Sequence, residues 1–193
     1  CYTDNVVIRY VIRGEQMSNA DKTIGPKILD CAKAEFLERG FVNASLRRIC
    51  ANAGVTTGAL YKRYSGKEAL FQALVQDVVD DIDRVVADRS IDYTDPALSD
   101  TQLYNMWTLT EDYLDWWFDF LFERKDGFTL LLKCAEGTQY QNFQHDLVER
   151  ICKETYKCYR AAAERGLARK DISLRELHVL TTAFWSTMYE PFI

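Results

Sequence analysis

The chain has 193 residues, 48% hydrophobic, with only 3 Pro and 9 Gly, which suits one well-ordered core, or a core with a small satellite, and excludes disorder along most of its length. A net charge of −5 at first opposes nucleic-acid binding, yet the sign is segregated: residues 18–68 hold nine Lys/Arg and five Asp/Glu (+4), while residues 69–193 hold thirteen and twenty-two (−9). A basic module on an acidic body can still meet DNA by its basic face, because exposed charges are screened within about 8–10 Å.

No apolar run reaches the roughly 18 residues that a membrane helix needs. The six cysteines form no C-x-x-C pair and sit mostly at helical apolar positions, so they read as reduced core residues of a cytoplasmic protein. In chain order, "CYTDNVVIRYVIRGEQ" precedes an ordinary-looking start at Met17. Arg9 interrupts its apolar run and no small-residue cleavage site follows, so a signal peptide fits poorly. Residues 1–17 are taken as an N-terminal extension, with a β-strand over 6–12 as the alternative.

From Ile24 onward the periodicity predicts an all-α chain. Ile28, Leu29, Ala32, Phe36 and Leu37 mark one face of a first helix, with Pro26 in its first turn and Gly40 just past its end. Ser45 is placed to cap a short second helix carrying Leu46, Ile49 and Cys50. Gly54 breaks it, and Thr56 is placed to cap a third helix holding Leu60. "SGKE" at 65–68 reads as a capping box opening a long fourth helix, through Leu70, Leu74, Val78 and Ile82 to about Ser90. "IDYTDPALSD" (91–100) reads as a linker. One long helix is then expected over 101–124, a break at "KDG", another helix over roughly 141–165 stopping at Gly166, and a last one opened by the capping box "SLRE" (173–176) and ending at Glu190. The apolar end at Phe192-Ile193 suggests that the natural chain continues.

A helix, a glycine turn and a second short helix have the spacing of a helix-turn-helix. Ala53, Val55 and Leu60 would lock the two short helices together, and the helix beginning at Thr56 would enter the major groove by its N-terminal end. Thr57, Gly58 and Ala59 are small enough there to let the backbone approach base edges, and Thr and Ala methyls can contact a thymine methyl. Tyr61, Lys62, Arg63, Tyr64 and Lys67 would line the exit, where hydroxyls and cations suit phosphates.

The stretch "ILDCAKAEFLERGFVNASLRRICANAGVTTGALYKRYSGKEAL", residues 28–70, resembles the DNA-binding domain of the tetracycline-repressor (TetR) family. "FLERGF" matches the family's Phe-x-x-x-Gly-Phe, "ICANAGV" its Ile-Ala-x-x-Ala-Gly-Val, and "GALYKRYSGKEAL" its Gly-x-Leu-Tyr-x-His-Phe-x-x-Lys-x-x-Leu. In departure from that pattern, Ala44 stands where a hydroxyl residue is common, leaving Ser45 alone to cap helix 2 and reach a phosphate. Cys50 replaces a common alanine, and Arg63 and Tyr64 replace His and Phe. Arg47 matches a position that reaches a base in some relatives, and guanine would be its natural partner. The resemblance implies residues 18–70 as a DNA-binding domain and 71–193 as a helical ligand-binding and dimerisation domain.

The body is rich in aromatics between 100 and 145, and in the expected 101–124 helix they form two stripes where a simple amphipathic helix needs one. The second stripe would face core, partner subunit or, as the resemblance implies, a ligand pocket. Trp107, Trp117, Phe128 and Tyr140 are the expected walls, with Thr110, Glu136, Tyr140 and His145 as polar groups that could orient a ligand. Between Ser90 and Asn142 the only cations are Arg124, Lys125 and Lys133, so a neutral or cationic apolar or aromatic effector is expected. The acidic stripe Glu111, Asp115, Asp119 and Glu123 reads first as a solvated face. No nucleophile elbow, phosphate-cradling loop or metal-ligand cluster is evident, and His145 and His178 have no partner nearby in sequence, so neither catalysis nor a bound metal or cofactor is expected. The expected function is a homodimeric, ligand-responsive repressor acting on a double-stranded DNA operator. The alternative is a constitutive architectural DNA-binding protein without an effector. Leu174, Leu177, Leu180, Phe184, Trp185 and Met188 give the last helix more apolar face than a monomer needs, so the last two helices are the expected dimer interface.

Overall fold

The computed structural model describes residues 19–88, 92–93, 95, 97–105 and 110–193, and among these no strand occurs. The expectations for residues 1–17 and for Trp107 lie outside the described residues, as does part of the 91–100 linker.

Helix α1 spans Asn19–Asn43, starting earlier than the periodicity predicts, so Pro26 lies inside it and not in its first turn. Gly40 has φ 69° and ψ 165°, which breaks the helix and turns its last residues aside. Positive φ is costly for residues with a Cβ, so the glycine is needed there for its backbone. The turned-out end is held by the Phe41 N–H, which donates to the Cys134 carbonyl at 2.9 Å. Helices α2 (Leu46–Ala53) and α3 (Thr57–Tyr61) follow, joined through Gly54 at φ 66°. Ile28, Ala32 and Phe36 from α1 meet Ile49, Cys50, Ala53 and Leu60 in one buried cluster.

The long helix α4 (Lys67–Asp88) continues that cluster through Leu70, Phe71, Val75, Val78 and Ile82. Phe71 sits edge-on to Phe36 (centroids 5.3 Å apart) and to Phe41 (5.6 Å), so the α1 break and the start of α4 share one aromatic contact. Glu68, in the first turn of α4, also reaches a distant segment: its Oε1 accepts the backbone N–H of Gln139 at 3.2 Å.

The single helix expected over 101–124 is two: α5 (Asp100–Asn105) and α6 (Glu111–Glu123). The reason is visible at Thr110, which has extended backbone and accepts the Tyr113 N–H on its side chain, an N-cap that starts a new helix. "KDG" does not break the chain for long either. Helix α7 (Lys125–Lys133) begins there, with Arg124 as the hinge. Gly127 is buried, and a Cβ on it would lie 2.4 Å from Val78 Cγ2, so its small size lets α7 approach α4 closely. Helix α8 (Phe143–Glu164) and α9 (Leu174–Tyr189) complete the body, with a 3-10 turn at Glu190–Phe192. Ser173 and Glu176 form the expected capping box. Leu103 of α5 packs on Cys158 and Ala162 of α8 in a separate small cluster. The described cysteines are free thiols, four buried and Cys31 half-buried.

Candidate nucleic-acid interface

The geometry of α2 and α3 rests on one buried carboxylate. Glu35, on α1, is 4% exposed, and its Oε1 accepts three bonds: from the Ser45 N–H (2.9 Å), Arg48 Nε (2.8 Å) and Arg48 Nη2 (2.6 Å). Arg48 also donates to the Asn43 carbonyl. Arg48 above all, with the Ser45 N–H, holds the Glu35 carboxyl below its ordinary value against the opposing effect of burial. Ser45 is at the N-cap as expected, but its side chain makes no capping bond. Its backbone is instead fixed by Glu35. Sequence reading passed over Glu35, because a glutamate just ahead of "FLERGF" reads as an ordinary solvated helical position.

Thr56 behaves as the sequence suggests, its Oγ1 accepting the Ala59 N–H at 3.2 Å. Leu60 is fully buried beneath α3, Ala59 is half-buried, and Thr57, Gly58, Tyr61 and Lys62 face outward. A Cβ at Gly58 would meet only Thr56 Oγ1, at 3.8 Å, an ordinary contact, so nothing inside the fold demands glycine there. Arg47 on α2 is also exposed. Tyr64 is half-buried and packs on the core, and burial pushes its phenol up from the usual range. Arg63 lies back along α3 with Nη1 donating to the Ala59 carbonyl at 3.2 Å. Lys67 is engaged within the fold: its Nζ donates to the carbonyls of Val42 (3.0 Å) and Ala44 (3.2 Å) and lies 4.6 Å from the centre of the Phe41 ring. It therefore closes the carbonyl end of α1.

The residues expected to wall a ligand pocket are not gathered at one place. Trp117 and Phe128 share the core, each packed against Phe120. Tyr140 lies against α4, its ring 6.2 Å from that of Phe71 and its hydroxyl donating to Gln76 at 3.1 Å. Thr110 is exposed and occupied as a cap. His145 is exposed on α8, yet it is not isolated: its ring lies 6.2 Å from that of His178 on α9, with Asp146 and Glu149 beside it. This corrects the expectation that no metal-ligand grouping exists: His145, Asp146 and Glu149 gather within one turn of α8, and helix packing brings His178, 33 residues away, beside them. Glu136 borders a cleft of about 320 Å³ between the α1 break and α7, with Arg39, Gly40, Val42 and Lys133 on its rim. Within the aromatic core, Trp117 Nε1 and Tyr189 OH are buried and make no hydrogen bond among the described residues. Tyr189 was not legible as a polar core group, because its position in the last helix reads as plain apolar packing.

Residues 28–74 match the family model described as bacterial regulatory proteins, tetR family. Over 49 residues the chain is 41% identical to the HTH-type transcriptional regulator UidR of Escherichia coli (strain K12), a match that spans 25% of this chain and 25% of that protein. A TetR family transcriptional regulator from Chloroflexus aurantiacus J-10-FL superposes with a TM-score of 0.53 at 16% identity, over 92% of this chain and 79% of that one. A gamma-butyrolactone receptor (ArpA like protein) gives 0.51 at 20% identity, over 84% and 76%. At such identities these two likenesses speak for the fold alone. The match over residues 28–74 falls on α1–α3 and the start of α4, so this stretch is similar to the N-terminal helix-turn-helix domain of the tetR family of bacterial regulatory proteins.

Proposed function

We propose that this protein is a homodimeric, cytoplasmic transcriptional repressor that binds a double-stranded DNA operator and releases it when a small apolar or aromatic effector binds the body. The observation that carries the reading is the outer surface of α2 and α3. Small residues front the start of α3 while Leu60 anchors its underside, so the backbone can come close to base edges. Thr57, Gly58 and Ala59 are assigned to the groove, with Thr56 capping the helix that carries them. Arg47 is assigned to a base, and Tyr61, Lys62 and Arg63 to phosphates, with Ser45 at the edge. Tyr64 and Lys67 support the surface from within.

Dimerisation is assigned to α8 and α9. Val179 and Leu180 are 61% and 62% exposed, whereas Leu177, Trp185 and Met188, expected on the interface, are buried within the chain. Release follows from geometry. Two recognition helices must meet half-sites about 34–36 Å apart, and an effector that prefers a different spacing lowers DNA affinity by its differential binding energy, typically about 1–3 kcal/mol. The aromatic core around Trp117, Phe128 and Tyr189 is the assigned effector region, where the two buried unpartnered polar atoms would be satisfied by a ligand's polar group.

Footprinting on DNA flanking the protein's own gene, with and without a library of neutral, cationic and anionic aromatics, tests the reading. A two-half-site footprint that a neutral or cationic compound removes is expected. A footprint that no compound alters would leave the constitutive architectural reading, which the close packing of Phe128 among Phe120, Tyr189 and Phe192 favours. No footprint at any sequence would end both.

A further inference from the structure

The chain contains two histidines, and the fold brings them to one spot. His145 lies in the first turn of α8 and His178 in α9, with ring centroids 6.2 Å apart. One donor atom from each of His145, Asp146 and Glu149 falls within a set whose members are all within 4.8 Å of one another. Glu149 is one helical turn beyond His145 and lies within electrostatic reach of both imidazoles. Packing does not explain the grouping. His145 and Asp146 are exposed, and His178 is only half-buried.

We propose that His145, Asp146 and Glu149 of α8, joined by His178 reaching across from α9, form a binding site for a borderline divalent transition-metal ion of the Zn²⁺ class. Two imidazoles and carboxylate oxygens suit such ions, whereas Mg²⁺ and Ca²⁺ favour oxygen-only sets. Metal-bound donors about 2.0–2.2 Å from an ion sit closer together than 4.8 Å, so rotation of exposed side chains must complete the site. The competing partner is Lys153, whose Nζ is 2.9 Å from Glu149 Oε1. That pair is solvent-exposed, and exposed pairs contribute little, so an ion can displace it at small cost. Because the donors come from two helices, a bound ion would tie α8 to α9 outside the aromatic core and away from α2 and α3. The inference does not depend on the proposed DNA-binding role.

The test uses the untagged full chain with thiols kept reduced, titrated with Zn²⁺ in competition with a chromogenic chelator. One ion per chain is expected, undisturbed by millimolar Mg²⁺. His145→Ala and His178→Ala should each weaken binding by at least about tenfold. Saturating Zn²⁺ should raise the Tm of the wild type by several degrees, and that rise should vanish in both variants. Since only two imidazoles exist, their side-chain NMR signals report directly: Zn²⁺ should shift both at the same stoichiometry. Cys152→Ser is the control for thiol capture and should leave the affinity unchanged. Binding that both histidine variants retain, or that Cys152→Ser abolishes, overturns the proposal, and so does a Zn²⁺ titration that leaves either imidazole unmoved.

Discussion

Replacing Glu35 by Gln isolates the charge that positions α2. The substitution keeps size and one acceptor oxygen, but turns three bonds to an ionised Oε1 into bonds to a neutral amide. Bonds to charged groups contribute about 1.5–3 kcal/mol and neutral ones about 0.5–1.5. Arg48 is 46% exposed, so part of its loss is recovered by water. We expect a net cost of about 1–2 kcal/mol at pH 7. Glu35→Ala should cost about 3 kcal/mol, the lower end for breaking a buried pair, because Arg48 can reach solvent. The pH dependence has a definite sign. Glu35's folded value is depressed below its ordinary 4.5, so its contribution is fully present above 4.5 and is lost as pH falls through the lower folded value. Urea unfolding followed by circular dichroism should therefore show a constant gap between wild type and Glu35→Gln from pH 7 to 5, narrowing below 4.5. A gap as wide at pH 3.5 as at pH 7, or none at pH 7, would refute the role given to this carboxylate.

Four further outcomes follow from the same contacts. Gly127→Ala should lower stability by about 1–3 kcal/mol through overpacking against Val78, and the added Val78→Ala change should recover part of it in thermal melts. Gly54→Ala would meet only the flexible end of Lys27, 3.9 Å away, but must hold φ 66°, so it should cost about 1–2 kcal/mol, with Gly54→Asn milder. Lys62→Ala should weaken binding to every DNA sequence and reduce the salt slope by about one unit, whereas Arg47→Ala should change relative affinities among operator variants in a gel-shift series. Val179→Glu with Leu180→Glu should give a folded monomer by light scattering at micromolar concentration, and an unchanged dimer would exclude this face.

The helix-turn-helix was legible because each of its signals is local. Gly54 needs a left-handed turn, Thr56 caps the next five residues, and Leu60 marks the buried side, all within a short stretch. The body was less legible, because its deciding contacts join distant residues. The break before α6 depends on Thr110 capping a new helix inside what reads as one continuous apolar pattern. The Glu68 carboxylate fits a local capping box, and no local signal shows that one of its oxygens accepts the Gln139 N–H, seventy-one residues away. Trp117, Phe128 and Tyr140 all carry the same aromatic signal, and only packing separates two core residues from one bonded to Gln76. The two histidines fail the same test, since sequence distance hides a contact between helices.

The contacts of α4 indicate how the two parts of the chain constrain each other. At its start, Lys67 holds the carbonyl end of α1, and Phe71 packs on Phe36 and Phe41. Further along, Asp81 accepts Arg124 Nε at 2.7 Å, and Asp83 accepts Arg150 Nη1 at 2.6 Å. Arg124 is also the α6–α7 hinge and lies 4.2 Å from the centre of the Phe120 ring, so it joins α4 directly to the aromatic core. Gly127 seats α7 against Val78 between these ends, and Lys33 pairs with Asp126 at 2.8 Å to tie α1 to the same turn. Phe120, Arg124 and Asp81 thus touch in series, with the start of α7 at the same hinge. Such close-packed contacts transmit displacement because they have little free volume to absorb it. Arg124, between α6 and α7, is the position where the aromatic core and α4 share a bond, and α4 in turn carries the contacts with α1.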